Sequence, residues 1–205
     1  MVRSLWFWWR WLLPGIGLVA ALGCGSTAPA KFYTLSPLPA TGERASGKEA
    51  ADRGLAVGIG PIRLPLYLVR PEIVTRTDAN KIEVAELDLW GGSLQDDFSR
   101  NLLENLSFLL AGERISLYLL PGVGVVDYRV AVDVIRFDGV RGRDVVLIAG
   151  WTIRSSPDSK IVRVGNSRIL EPTGGENYEA MVGGMSRALG RLSREIGEAI
   201  KALPR

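Results

Sequence analysis

The apolar positions change period along the chain, and each change marks an element. Lys31-Phe32-Tyr33-Thr34-Leu35 alternates like a strand and stops at Pro37 and Pro39. Alternation returns at Leu55-Ala56-Val57-Gly58-Ile59-Gly60, punctuated by Pro61 and Pro65. Ile73 to Thr77 is rich in β-branched residues and Lys81 to Ala85 is a second short strand. The turn residues Asp78-Ala79-Asn80 between them predict a hairpin. From Ser93 the period lengthens: Leu94, Phe98, Leu102, Leu106 and Leu109/Leu110 recur every three or four residues, an amphipathic helix with Gly112 just past its end. Ser93, with Asp96 three residues later, resembles a capping box.

Beyond a short segment from Arg114 to Leu119, Tyr128, Val130, Val132 and Val134 point one way while Arg129, Ala131 and Asp133 point the other, a strand with one wetter face. Val145 to Ser155 and Lys160 to Leu170, joined through Ser156 to Ser159, extend this into an antiparallel meander. A second helix carries one stripe of Tyr178, Met181/Val182, Met185, Leu189, Leu192, Ile196, Ile200 and Leu203, with Arg191–Glu195 and Arg194–Glu198 spaced for ion pairs on its other face. Residues 40 to 54 are polar and aperiodic, an exposed loop. The economical architecture is a single α/β (α+β) domain, with a mixed, largely antiparallel sheet and two main amphipathic helices packed against one face.

Composition narrows the chemistry. Across 205 residues, 47% are hydrophobic and 23% charged, enough to bury one core. There is one cysteine and no histidine, so no intramolecular disulfide, no imidazole-thiolate metal site and no histidine-based triad can be built. No metal or cofactor is expected. Neither a nucleophile elbow nor a phosphate loop is found, and Gly58-Ile59-Gly60-Pro61 lacks the remaining glycine of a dinucleotide fingerprint. An enzyme is therefore not expected. Glu83, Glu86 and Asp88 read as edge carboxylates, Asp96-Asp97 as acids favouring a helix dipole, and Asp127, Asp133 and Asp138 as solvent-facing or arginine-paired. Asn105-Leu106-Ser107 matches a glycosylation sequon by chance, inside a helix.

The formal charge of +3 shrinks on inspection. Arg3 and Arg10 precede the cysteine, and removing them from 25 basic residues leaves 23 against 22 acids. So even a balance gives no reason to expect nucleic acid as a partner. Those two arginines, the apolar stretch Trp11 to Leu22 and then Gly23-Cys24 form a secretory signal pattern. The stretch is 12 residues long, and a membrane span takes about 20.

Ala21-Leu22-Gly23-Cys24 resembles the box of a bacterial lipoprotein signal. The resemblance implies cleavage between Gly23 and Cys24, a signal peptide over residues 1–23, a lipidated tether over 24–30 and a domain over 31–205. It also implies a diacylglycerol on the Cys24 sulfur, a further palmitate-type chain on its amine, and, with Gly25 next, sorting to the periplasmic face of the outer membrane. Two or more chains anchor stably.

One stretch is unusual. In residues 61–74, PIRLPLYLVRPEIV, three prolines interleave with large apolar residues and two arginines, predicting an extended arm rather than a helix. On one reading it crosses the domain and buries Leu66 and Leu68. On the other it docks a protein partner through Leu64, Pro65, Tyr67, Leu68, Arg70, Pro71 and Ile73. Phe32-Tyr33-Thr34-Leu35, the run Gly58 to Arg76, Ala85-Glu86-Leu87-Asp88-Leu89-Trp90, Asp127-Tyr128-Arg129-Val130, Phe137-Asp138-Gly139 and Ser186-Arg187-Ala188-Leu189 resemble the ABC-type transport auxiliary lipoproteins of the PqiC-like group. That resemblance implies a non-catalytic subunit that docks and aligns an intermembrane lipid transport system. Its implied partners are an MCE-domain protein and inner-membrane transport components, with assembly as a homo-oligomeric ring in some members. The alternative is a periplasmic carrier that holds an acyl chain in a cavity of its own, between helix and sheet.

Overall fold

The computed structural model describes residues 28–39, 54–111, 113–117, 125–156 and 158–204. The leader, Cys24, most of the tether, the loop of residues 40–53 and Gly112 lie outside the described residues. Eight strands and two long helices follow in the order β1 (Lys31–Tyr33), β2 (Ala56–Arg63), β3 (Glu72–Asp78), β4 (Lys81–Trp90), α1 (Leu94–Leu109), β5 (Arg114–Leu117), β6 (Tyr128–Gly139), β7 (Asp144–Ser155), β8 (Ile161–Pro172) and α2 (Tyr178–Lys201).

The class is mixed α+β, as expected, but the strands divide between two sheets. The larger has the order β5-β2-β6-β7-β8. In it β2 runs parallel to β5 and β6, while β6, β7 and β8 form the antiparallel meander. The smaller has the order β1-β4-β3, with β1 parallel to β4 and the β3–β4 hairpin turning at Ala79–Asn80. Pro61 does not end β2: the strand continues to Arg63 across a register shift between Ile59 and Ile62, the kind of irregularity where a sheet tolerates proline.

Alternation decides which face is buried. On β6 and β7, Val130, Val132, Leu147, Ala149 and Ile153 are buried; α2 lays its apolar stripe against β7 and β8, while α1 packs beside it over β2 and β5. Phe98 of α1 meets Phe137 of β6 edge to face, with centroids 5.4 Å apart. With Leu102, Leu106, Met181 and Met185, these rings fill the layer between helices and sheet, where a carried acyl chain would have to lie. Caps fix the helix starts: the Ser93 side chain accepts from the Asp96 amide and Asn177 from Ala180. The pairs expected within α2, Arg191 with Glu195 and Arg194 with Glu198, give way to two partners on β8 and one within the helix. Arg191 turns to Glu171 of β8 at 3.1 Å, Glu195 accepts from Ser167 at 2.5 Å, and Glu198 pairs with Lys201 at 2.9 Å.

Gly165 of β8 lies opposite Trp151 of β7. A Cβ at Gly165 would fall 2.1 Å from the indole, whose Nε1 is held by Ser167 at 3.1 Å. Gly165→Ala is therefore expected to destabilise the domain by about 1–3 kcal/mol through overpacking, read as a lower midpoint in urea with unchanged slope.

Candidate functional site

The chain enters the domain from the tether as a strap, residues 31–38. Its first three residues pair with Asp88, Leu89 and Trp90 of β4, and then it leaves the sheet to lie across the helices. There its amides have no strand to bond, so helix side chains take them. Asp97 of α1 accepts from the Leu35 amide at 2.6 Å and the Thr34 hydroxyl at 3.0 Å. Asn105, two turns on, accepts from the Leu38 amide at 2.7 Å and donates to Ser193 of α2 at 3.0 Å. Ser186 of α2 accepts from the Ser36 amide at 3.0 Å. Asn101 lies between Asp97 and Asn105 and donates to the Asp97 carbonyl, but its own buried Oδ1 has no partner among the described residues. Between Leu35 and Leu38 lie Ser36, whose amide goes to Ser186, and Pro37, which has no N–H to offer. Leu38 fits over Gly190, where a Cβ would fall 2.6 Å from its methyl.

This row of Asp97, Asn101 and Asn105 on the buried face of α1 was not legible as a site. Asp97 read as a dipole acid and Asn105 as a stray sequon. Their spacing of four within an apolar stripe is the available signal, because it puts all three on the inner face.

The proline arm departs from the expected extended course, and of the two leucines expected to be buried only Leu68 is. A single 3₁₀ turn, Leu66–Leu68, interrupts it, and Leu66 is 88% exposed rather than buried. Leu64, Leu68 and Ile73 enter the core; Pro65 and Tyr67 are half-buried; Arg70 and Pro71 are exposed, Arg70 pairing with Glu72 at 3.3 Å. The arm thus presents Leu66, Val69, Arg70 and Pro71 outward from a buried base.

That base is fastened by Asp138, which is fully buried rather than solvent-facing. A bulge at Ile135, between Val134 and Arg136 of β6, shifts the register. Beyond it Asp138 accepts from Tyr67 Oη at 2.8 Å, Arg76 Nη2 at 3.0 Å and Arg136 Nε at 2.8 Å. Burial alone would raise its pKa, but the bonds from Arg76, Tyr67 and Arg136 outweigh that and hold the carboxyl below its ordinary value. Tyr67 is pushed up to about 12, by burial and then by its bond to Asp138. Leu66 beside Tyr67, Ile82 opposite Arg76 and Ile135 beside Arg136 are exposed apolar neighbours of this cluster.

Strap, arm and α1 converge at the end of β4. The Trp90 amide donates to Pro71 O and the Gly91 amide to Tyr33 O, each at 2.7 Å, and Ser93 then caps α1. Among the described residues, no three His, Cys, Asp or Glu side chains could together hold a metal ion. No described helix is long and apolar enough to cross a membrane.

Residues 33–197 match the family model described as the ABC-type transport auxiliary lipoprotein component. Comparison with curated proteins finds no significant match. Among solved structures, one described as an uncharacterized protein is 18% identical, covers 84% of this chain and 99% of its own, and superposes with a TM-score of 0.68. A Xanthomonas campestris protein of the DUF330 family is 17% identical, covers 81% and 92%, and has a TM-score of 0.61. At these identities the likeness is one of fold.

The Asp138 cluster sets a pH dependence. A carboxyl with a folded pKa below its unfolded value of about 3.9 contributes stability above that pH and loses it as pH falls through the folded pKa. Asp138→Ala should cost about 3 kcal/mol at pH 7, by leaving two arginines unpaired. The gap between wild type and variant should close progressively below about pH 4, as followed by urea unfolding at both pH values.

Proposed function

Because the chain belongs to the ABC-type transport auxiliary lipoprotein component family, we propose that it is the outer-membrane-anchored subunit of an intermembrane transport system, docking an MCE-domain partner and aligning it with inner-membrane components. The single observation that carries this reading is the strap. A tether running from the lipoprotein box at Cys24 enters a segment whose amides at Leu35, Ser36 and Leu38 are each captured by a helix side chain. Such a connection passes an anchor's position on to a folded body.

The second supporting feature is the arm. Its exposed tip places apolar surface and an arginine on a fixed base, and residues held in place before association lose less freedom on binding. The adjacent amides of Trp90 and Gly91 join arm to strap, so anchor and docking element sit on one rigid joint. Assembly of several copies as a ring fits the same role, with each copy offering one tip.

Two tests follow. Affinity purification from membranes in mild detergent should recover MCE and ABC-transport components with the intact protein. With Cys24→Ala the mature, membrane-extracted complex should be lost; recovery of no transport component with intact protein would sink the proposal. The double variant Leu66→Asp with Arg70→Glu should abolish that recovery while shifting stability by no more than about 0.5 kcal/mol, as expected of exposed positions. By contrast Ile73→Ala should cost about 2–5 kcal/mol by hollowing the core, and equal destabilisation by the tip variant would count against the arm as a docking element.

A further inference from the structure

A groove of about 550 Å³ runs between the strap and the amino-terminal turns of α2, with Phe32, Pro37 and Leu38 on one side and Val182 and Gly183 on the other. Its size lies within the range of about 300–1,000 Å³ typical of small-molecule sites. Most of its polar neighbours are already engaged. Tyr33 donates to Asp88, Thr34 to Asp97, Ser186 to the Val182 carbonyl, and Arg187 to the Pro172 carbonyl. Glu179 and Arg187, of opposite sign, both line it and give no net pull on a charged head group. Its exposed lining is largely apolar, with Phe32 standing 67% exposed at its edge. Such a site suits a ligand with a hydrocarbon body and few demands for buried hydrogen bonds.

Position narrows the ligand further. Phe32 follows Cys24 by eight residues, which span at most about 26–29 Å when extended. A lipid on Cys24 therefore keeps this groove near the bilayer surface. We propose that the groove binds one acyl chain of a phospholipid from the membrane that anchors the protein. This rests on the anchoring reading of Cys24 and on no transport role. It differs from a carrier with a chain between helix and sheet, since that layer is filled by side chains and the groove lies outside it.

The test uses the mature chain, residues 24–205 with Cys24→Ser, which keeps the whole core from Leu35 to Leu203. Palmitoyl-lysophosphatidylcholine, below its critical micelle concentration, is the probe, and native mass spectrometry should detect one lipid per chain. Gly183→Leu fills the groove. A Cβ there meets only Arg187 Nη1, at 3.4 Å, and leucine is the better helix former, so Tm should hold or rise while affinity falls about tenfold or more. Phe32→Ser should weaken binding and Leu66→Ser, on the arm, should leave it unchanged. No bound lipid in the unsubstituted groove, or equal binding by Gly183→Leu, overturns the proposal. Should lipidated protein refuse a probe that the Cys24→Ser chain accepts, its own anchor occupies the groove and the phospholipid assignment falls. Mass spectrometry of the mature amino terminus reports separately on the anchor. An unmodified Cys24 would overturn the anchoring reading, and with it the membrane as source, even with binding intact.

Discussion

Two successive amides at the end of β4 hold the working parts of the molecule together. Trp90 gives its N–H to the arm at Pro71 and Gly91 gives its own to the strap at Tyr33, and Ser93 then starts α1. The Trp90 side chain is 4% exposed, so this joint sits against a buried ring. Breaking such a bond without a substitute leaves a peptide group unsatisfied, at a cost of about 1–3 kcal/mol. Strap, arm and helix are therefore placed by one short piece of chain, and the larger sheet supplies the floor on which α1 lies.

From that joint the strap must cross the helices, which creates a problem that apolar packing cannot solve. An extended segment lying on a helix has amides that no neighbouring strand can bond, and where the segment is buried, as at Leu35, they must still be paired. The answer is a row of polar side chains on the inner face of α1, where a helix packed on a sheet would otherwise carry leucine. Asp97 takes the Leu35 amide and Asn105 the Leu38 amide, while Asn101 between them keeps an oxygen with no partner among the described residues. Polar groups placed so specifically fix the strap's register, because a shift by one residue would pair Asp97 or Asn105 with the wrong groups.

Period and capping made most of the fold legible: both helices, the hairpin and the meander follow from where apolar residues recur. What escaped depends on partners distant in sequence. Asp138 sits 62 residues from Arg76 and 71 from Tyr67, and the bulge that turns it inward leaves no mark in the alternation beyond an added isoleucine. Leu66 and Leu68 are chemically alike, and only the 3₁₀ turn decides that one is exposed and the other buried. The helix pairs of α2 failed for a related reason. Spacing of four permits Arg191–Glu195, but β8 lies alongside and offers Glu171 and Ser167 to the same side chains. The engaged polar rim of the groove was equally hidden, because it requires knowing that the strap passes over α2.

An exposed leucine and valine on a three-proline arm would be a liability if the arm were loose, since mobile apolar segments invite indiscriminate association. Here the residues between them are fixed. Tyr67 is tied to a carboxylate shared with two arginines, and Leu68 is 3% exposed. A charge cluster is an expensive way to fasten a loop, because desolvating the ions offsets much of their attraction. Its return is directional. The three donors reach Asp138 from the arm, from β3 and from β6 itself, so the arm's orientation is set relative to both sheets at once, which apolar packing alone would leave free to slide. On the proposed reading, the same rigidity that costs stability in isolation lets a lipid-anchored body present one fixed edge to its partner.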